Sequence, residues 1–478
     1  MARETAVALR LASVWRALVL AIAAPLVLAL LIVLWRTPFP LSEGVGLIED
    51  VARNTPSHFL AADTAYYRPL FHITLWTMWH RAGSVEGALH TIKLLHIIPV
   101  ALVVILFVWI VRPRDAIAAG AATLALAVLV GAPAFRDNLE IPLSYTTAGM
   151  PIGLLVWIIL EREHRWWHGL VIVGLLAIAV GFKEQGLVLV PVVIAAWLTG
   201  APGVRRGTAL AVALLAVGYV AFRLLNRGAG PLFEQDVGFG FSRLSPEQTM
   251  ARFGSFPLAI FAYSGLATIA NVLFSEPTAG VFEVAAAVVR GRPDPIGLLN
   301  LISSLGMTVL IAWWVSTQKS LRVLPVSREA FVVPDGRVAI ALVVSLAACG
   351  AMSFDYSRDR LGGMAIVFYA LAAFHAIRAL GIRVASAPTP RFRVAVAGLL
   401  LLAGAWQIRA LNTLEGARET AFKNRREWIT GVADRRVEFT DRPVYLQIMN
   451  RLEPQGVAPD APQPTRYRRT AARLIRGR

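Results

Sequence analysis

ALVLAIAAPLVLALLIVLW, residues Ala17–Trp35, decides the class of this chain. The run carries no charged residue. A helix of about 20 apolar residues spans the roughly 30 Å hydrocarbon core of a bilayer, and this run has that length. Arg3, Arg10 and Arg16 precede it against Glu4 alone. A secretory signal has a shorter apolar core and a small-residue cleavage site, whereas this run continues through Leu30-Leu31-Ile32-Val33-Leu34-Trp35 without one. The expectation is an uncleaved first membrane helix with its N-terminus in the cytoplasm.

Composition extends that reading to the whole chain. Over 478 residues, 56% are hydrophobic and 16% charged, where soluble domains hold about 25% charged residues. Mean hydropathy is +0.61. The net charge of +17 comes from 47 Lys+Arg against 30 Asp+Glu. In a many-span chain such an excess marks cytoplasmic loops, and no soluble basic domain or nucleic-acid motif accompanies it. Membrane lipids are therefore expected partners and nucleic acid is not. Cys349 stands alone, so no intramolecular disulfide forms, as suits a bacterial inner (plasma) membrane. Thirteen Trp, among them Trp35, Trp76, Trp79, Trp166-Trp167 and Trp313-Trp314, suit interfacial anchoring.

Further apolar runs lie near 94–111, 116–132, 147–160, 168–182, 186–199 and 207–225. Arg112/Arg114, Arg162/Arg165 and Arg205/Arg206 then fall on the side of the N-terminus. The 36–92 loop, the 136–145 loop and the Lys183-Glu184 hairpin fall on the other. Within 36–92, TLWTMWH places Leu75, Met78 and Trp79 at helical spacing, which predicts an interfacial helix. A second long external loop covers 226–256. Between 257 and 315 the number of crossings stays open, since the runs near 257–274, 278–289 and 296–315 differ in length. Runs at 338–353, 362–380 and 393–410 complete an all-α polytopic bundle of about 11–13 helices over residues 1–410. A basic tail follows at 411–478, with 14 Lys+Arg against 8 Asp+Glu, and the alternation puts it outside.

LSEGVGLIEDVARNTPSHFLAADTAYYRPLFH (41–72), just beyond the first run, gathers Glu43, Glu49, Asp50, Asp63 and Arg68. Charge at a membrane boundary is costly unless solvated or paired. The same predicted face receives Lys183, Glu184, Arg358, Asp359 and Arg360. An enzyme acting on a membrane-embedded phosphate ester needs a carboxylate to take a proton from the acceptor and cations to stabilise the departing phosphate. Both residue types are present.

LIEDVARN (47–54), YYRPLFHITLWTMWHRAGSVEGALHTIKLLH (66–96), GFKEQGLVLVP (181–191), SRDRLGGMAIVFYALAA (357–373) and TAFKNRREW (420–428) together resemble, in order, segments of the GT-C superfamily of integral membrane glycosyltransferases. They are most like the TPR-linked transmembrane O-mannosyltransferases and their bacterial relatives. Glu49-Asp50 stands where two aspartates are common, and the tail is too short for a TPR array. The resemblance implies a GT-C-like fold, a polyprenyl-phosphate sugar donor, inverting transfer to a protein, lipid or glycan acceptor, and an exoplasmic site. It makes Asp50 the acceptor-activating base with Glu49 its alternative. Arg68, Lys183 and Arg358 become phosphate-side residues, with Tyr67 and Glu184 beside them.

No cofactor follows from the sequence. HExxH and Cys clusters are absent, and the resemblance leaves room for a carboxylate-bound divalent cation. His90 and His96, six apart, do not share a helix face and read as structural. Two other functions fit a bundle with charged external loops: a ligase or flippase of polyprenyl-linked glycans, and a secondary transporter. The first would gather several arginines in one large loop, the second would show midplane charges and repeated halves.

Overall fold

Proline writes many of the helix starts. It lacks the N–H that a helix start leaves unpaired, and its φ is already helical. The computed structural model describes residues 2–36, 51, 54–60, 67–83, 85–140, 145–226, 237–239, 242–244, 247, 251, 258–275, 283–318, 334–353, 356–386 and 390–433. Its helices are α1 (Ala2–Arg36), α2 (Pro56–Leu60), α3 (Pro69–Arg81), α4 (Val85–Val111), α5 (Ala116–Gly131), α6 (Pro133–Glu140), α7 (Tyr145–Leu160) and α8 (His168–Phe182). They continue with α9 (Leu189–Leu198), α10 (Arg206–Asn226), α11 (Leu258–Phe274), α12 (Glu283–Val289), α13 (Pro295–Thr317), α14 (Pro334–Met352), α15 (Gly363–Ala385) and α16 (Pro390–Ala433). Six of these begin on proline. Aspartate does the same work elsewhere: Asp115 accepts from the Ala118 N–H at 2.7 Å and Asp294 from Gly297 at 3.0 Å, each capping an orphan donor.

Six helices are long and apolar enough to cross a membrane: the windows Val14–Trp35, His90–Val111, Arg206–Leu225, Pro295–Thr317, Asp359–Ala385 and Arg393–Gly416. The α5–α6 pair, bent by 59°, makes a seventh if counted as one span. Shorter apolar helices of 10–17 residues fill the bundle between them. The chain is thus a multi-pass helical membrane protein. The expected 11–13 membrane helices counted these shorter ones as crossings; six helices, or seven with the bent pair, meet the roughly 20 residues of a straight crossing among the described residues. α12 has 7 residues, about 10 Å of helix, too little to cross. Of the three runs between 257 and 315, only α13 meets the length test.

The core forms around α15, whose window is 67% buried, against 17–33% for the other five spans. Alanine-rich α5 packs between α15 and α16. Small residues set that approach: a Cβ on Gly131 would lie 3.1 Å from the Ala410 nitrogen and 3.2 Å from the Trp406 ring. Leu18, Ile22, Leu210, Leu214, Val217, Leu400 and Leu401 stay exposed on the outer helices, as a lipid-facing surface requires.

Two features differ from the sequence reading. Val237–Phe239 (β1) pairs antiparallel with Ser242–Leu244 (β2) and parallel with Tyr356–Ser357 (β3). Residues of the 226–256 loop are thereby stitched to the chain just before Arg358. Spans of strand this short, at a period no longer than three residues, leave no alternation to read. The last helix also runs on past 410 to Ala433. Its 44 residues measure about 66 Å, twice the hydrocarbon thickness, so the first part of the basic tail is helical.

The two ends of the bundle differ in charge. At one end Arg112 lies within electrostatic reach of Arg16, Arg114 and Arg162. Nearby, Arg337 makes a two-point ion pair with Glu161 at 2.8 and 2.7 Å. The opposite end holds α3, the Glu184–Val188 and Asp359–Gly362 3-10 turns and α6, which pack on one another or on shared helices. A topology with these ends on opposite sides of the membrane is directly testable. Single cysteines at Arg114 and at Arg81 of α3, both exposed, introduced into Cys349→Ala should react with an impermeant maleimide from opposite faces of sealed vesicles. Labelling of both from the same face would refute it.

Candidate active site at the Arg68 end

Pro69 opens α3, which leaves Arg68 at the cap with non-helical backbone (φ −134°, ψ 63°). Glu184 opens the 3-10 turn that follows α8. The two meet as a side-on fork: Arg68 Nε donates to Glu184 Oε2 at 3.1 Å and Nη2 to Oε1 at 2.9 Å. Their side chains are 12% and 30% exposed. Burial alone would raise the Glu184 carboxyl, but the Lys183 ammonium and the Arg68 guanidinium outweigh it and hold the group down at about 2. The carboxylate is ionised throughout the physiological range.

The same two segments also touch through apolar groups. A Cβ on Gly181 would sit 2.6 Å from Leu70 Cδ1, so glycine here lets α3 lie directly on the end of α8. Tyr67 packs its ring on Phe222 of α10, 5.1 Å between centroids. Tyr219 of α10 lies within electrostatic reach of Glu184, Arg68 and Arg223. Arg68 and Leu70 of YRPL thus meet Glu184 and Gly181 of GFKE.

Lys183 is 5% exposed and lines a cleft with Gly149, Ala179, Gln185, Gly186, Val188, Leu361 and Met364. Leu361 belongs to the 3-10 turn Asp359–Gly362, so the late arginine segment shares this cleft. That turn is clamped by α6. Asp137 Oδ2 accepts from the Arg360 backbone N–H at 2.9 Å. The Asn138 amide bonds the Arg360 carbonyl at 3.5 Å. Arg360 is buried and Arg358 half-buried at the turn's cap. Leu361 rather than Arg358 reaches the cleft.

Arg68, Tyr67, Lys183, Glu184 and the Arg358 turn therefore occupy one end of the bundle. Asp50, Glu49, Glu43, Asp63 and Tyr66 lie outside the described residues. Their described flanks are held at this same end. The Lys93 ammonium donates to the Trp35 carbonyl at the end of α1 at 3.1 Å, and Trp76 Nε1 donates to the Asn54 carbonyl at 3.0 Å. Val51, directly after Asp50, is fully buried. TAFKNRREW falls on α16, where side chains beyond 416 lie outside the description. The two histidines are apart in role: His90 stacks on Trp35 and His96 is buried in α4. Among the described residues no group of three His, Cys, Asp or Glu side chains is placed to hold a metal ion.

Sequence reading passed over Lys93, Asp137, Asn138, Gln185 and Arg409. Lys93 and Arg409 carried a signal, as lone cations within or at the mouth of an apolar run. Asp137, Asn138 and Gln185 carried none beyond being polar in short connections.

The Arg68–Glu184 fork makes a pH-dependent prediction. Arg68→Ala and Glu184→Ala should each destabilise the purified protein by about 1–3 kcal/mol. The double variant should cost less than the sum of the two. A carboxyl lowered from 4.5 to about 2 contributes stability that is full above 4.5 and fades as pH falls towards 2. The coupling measured in a thermal-melt double-mutant cycle should therefore hold from pH 7 to 5 and shrink by pH 3. Strict additivity at pH 7 would dissolve the pair as an energetic unit.

No protein-family model, curated protein or solved structure matches this chain.

Proposed function

We infer that this chain is a glycosyltransferase of GT-C type that moves a sugar from a polyprenyl-phosphate donor to an acceptor hydroxyl. The observation that carries the reading is the convergence of three motif segments far apart in sequence. Residues 67–70 meet 181–184 through the Arg68–Glu184 fork and the Leu70–Gly181 contact, and 181–186 shares a cleft with Leu361. A bundle whose loops merely collected charge would have no reason to bring these particular segments together.

The charges suit departure of a lipid phosphate. Arg68 and Lys183 contribute two positive charges and Glu184 one negative, which leaves these three side chains at +1 on the phosphate side. Cations already in place stabilise a developing phosphate better than water does. Arg68 spends its fork on Glu184, so it acts chiefly by position, and Lys183 is the principal phosphate-side cation. Asp50, with Glu49 as its alternative, takes the proton as the acceptor oxygen attacks the anomeric carbon from the face opposite the phosphate. The new glycosidic bond forms as the carbon–phosphate-oxygen bond breaks, with inversion. The site lies on the exoplasmic face, and the arginine cluster around Arg112 lies in the cytoplasm of a bacterial cell.

Transfer of labelled sugar from a panel of polyprenyl-phosphate hexoses by purified protein tests this reading. Asp50→Asn should lower kcat at least about 100-fold while donor affinity stays within about twofold, and Glu49→Gln should cost less. Full turnover in Asp50→Asn moves the base elsewhere. Failure of the unmodified protein to transfer from any such donor overturns the enzyme, and a ligase would instead join a whole lipid-linked glycan.

A further inference from the structure

The 3-10 turn at 184–188 buries one polar side chain that the transfer chemistry above does not use. Gln185 is 5% exposed and lines the cleft beside Lys183. Neither its amide oxygen nor its amide nitrogen has a hydrogen-bond partner among the described residues. An unpaired buried amide is costly, and a leucine of similar size would avoid the cost. The turn itself is fixed, since a Cβ on the neighbouring Gly186 would fall 2.6 Å from the Ala179 carbonyl carbon and the Val180 nitrogen. Gln185 is thus held at the cleft.

The donor and acceptor inventory selects the ligand. The amide oxygen needs a donor, the amide nitrogen needs an acceptor, and Lys183 supplies further N–H donors. A polyprenyl phosphodiester is ionised at neutral pH and offers acceptors only, so it would leave the Gln185 oxygen unsatisfied. A hydroxyl both donates and accepts. Neighbouring hydroxyls on a sugar ring meet all three demands. The cleft is narrow as it stands, so a hydroxyl enters it only if a wall gives way. One wall is Met364, whose sulfur and methyl lie against Gly153 and Gly149, and methionine re-packs readily.

We propose that Gln185, with Lys183 beside it, reads hydroxyl groups of a sugar and is a specificity-determining residue of the transfer. This rests on the transferase reading above. The sugar is that of the donor or of a glycan acceptor.

Binding to the full-length protein in phospholipid nanodiscs separates these cases. The probes are bare undecaprenyl phosphate, undecaprenyl-phosphate mannose, glucose and galactose, and the corresponding methyl hexosides. Gln185→Leu should weaken at least one sugar-bearing probe about tenfold, while bare undecaprenyl phosphate changes less than about twofold. Its Tm should hold or rise, because an unpaired polar group has been removed. Loss confined to the lipid-linked hexose assigns the pocket to the donor, and loss confined to the methyl hexoside assigns it to the acceptor. Gln185→Asn, which keeps the amide but shortens its reach, should show the same pattern more weakly. Equal weakening of bare undecaprenyl phosphate, or unchanged affinity for every probe in both variants, overturns the proposal. If the unmodified protein still transfers sugar in that event, the transferase reading survives it; if it transfers none, that reading falls on its own assay.

Discussion

Charge inside an apolar bundle must find a partner within the protein, and this requirement organises the structure. An ion moved out of water costs several kcal/mol even after relaxation, and several buried or half-buried charges here tie distant parts of the chain. Arg68 ties α3 to the turn after α8, and Arg337 ties α14 to the end of α7. Lys93 closes α1 onto α4 by bonding the Trp35 carbonyl, a cation placed at a helix C-terminus where the backbone carries partial negative charge. Asp137 fixes the Asp359–Gly362 turn by accepting one backbone N–H. These four ties span both ends of the bundle.

Arg409 meets the requirement differently. It is 2% exposed in α16, and its guanidinium bonds Ser275, Ser303 and Ser304 hydroxyls and the Asn300 carbonyl at 2.6–3.1 Å. Trp406 covers one face, 3.6 Å from centroid to guanidinium carbon. Every one of these partners is neutral. Several oriented dipoles and an aromatic face can stand in for a counter-ion, and they draw α11, α13 and α16 together at one point. Tyr369 extends the cluster to α15 by bonding Thr308 and the Ser304 carbonyl. Lysine in that position would keep the charge but lose the fork and the stacking.

What was legible in the sequence follows from the same physics. Apolar runs of transmembrane length announce themselves one at a time, so α1, α4, α10, α13, α15 and α16 were readable without any knowledge of their neighbours. The helical spacing of Leu75, Met78 and Trp79 marked α3 equally locally. The strand pairing of 237–239 with 356–357 was not readable, because pairing so short depends on which loops meet, and nothing within either segment encodes that. The continuation of α16 past 410 was missed because hydropathy measures lipid compatibility, and a helix can outrun it. At the site, Arg68 and Glu184 were each recognised as charged residues on one face. Their union as a fork was not, since it depends on Gly181 admitting Leu70.

That union changes what the charges can do. Two isolated cations at the mouth of a bundle would bind any anion and hold their own hydration. With Glu184 engaged by Arg68, the guanidinium is already desolvated and oriented, and the turn carrying Lys183 and Gln185 is set against α8. Preorganisation of this kind favours a transition state over a ground state, because the groups need not reorganise as charge develops. It also divides labour along one short turn. Glu184 holds the turn in place, Lys183 supplies the remaining positive charge, and Gln185 offers both a donor and an acceptor that charge alone cannot satisfy. Three consecutive residues thus face three different demands, because the extended backbone of Lys183 breaks the helix just before the 3-10 turn that carries Glu184 and Gln185.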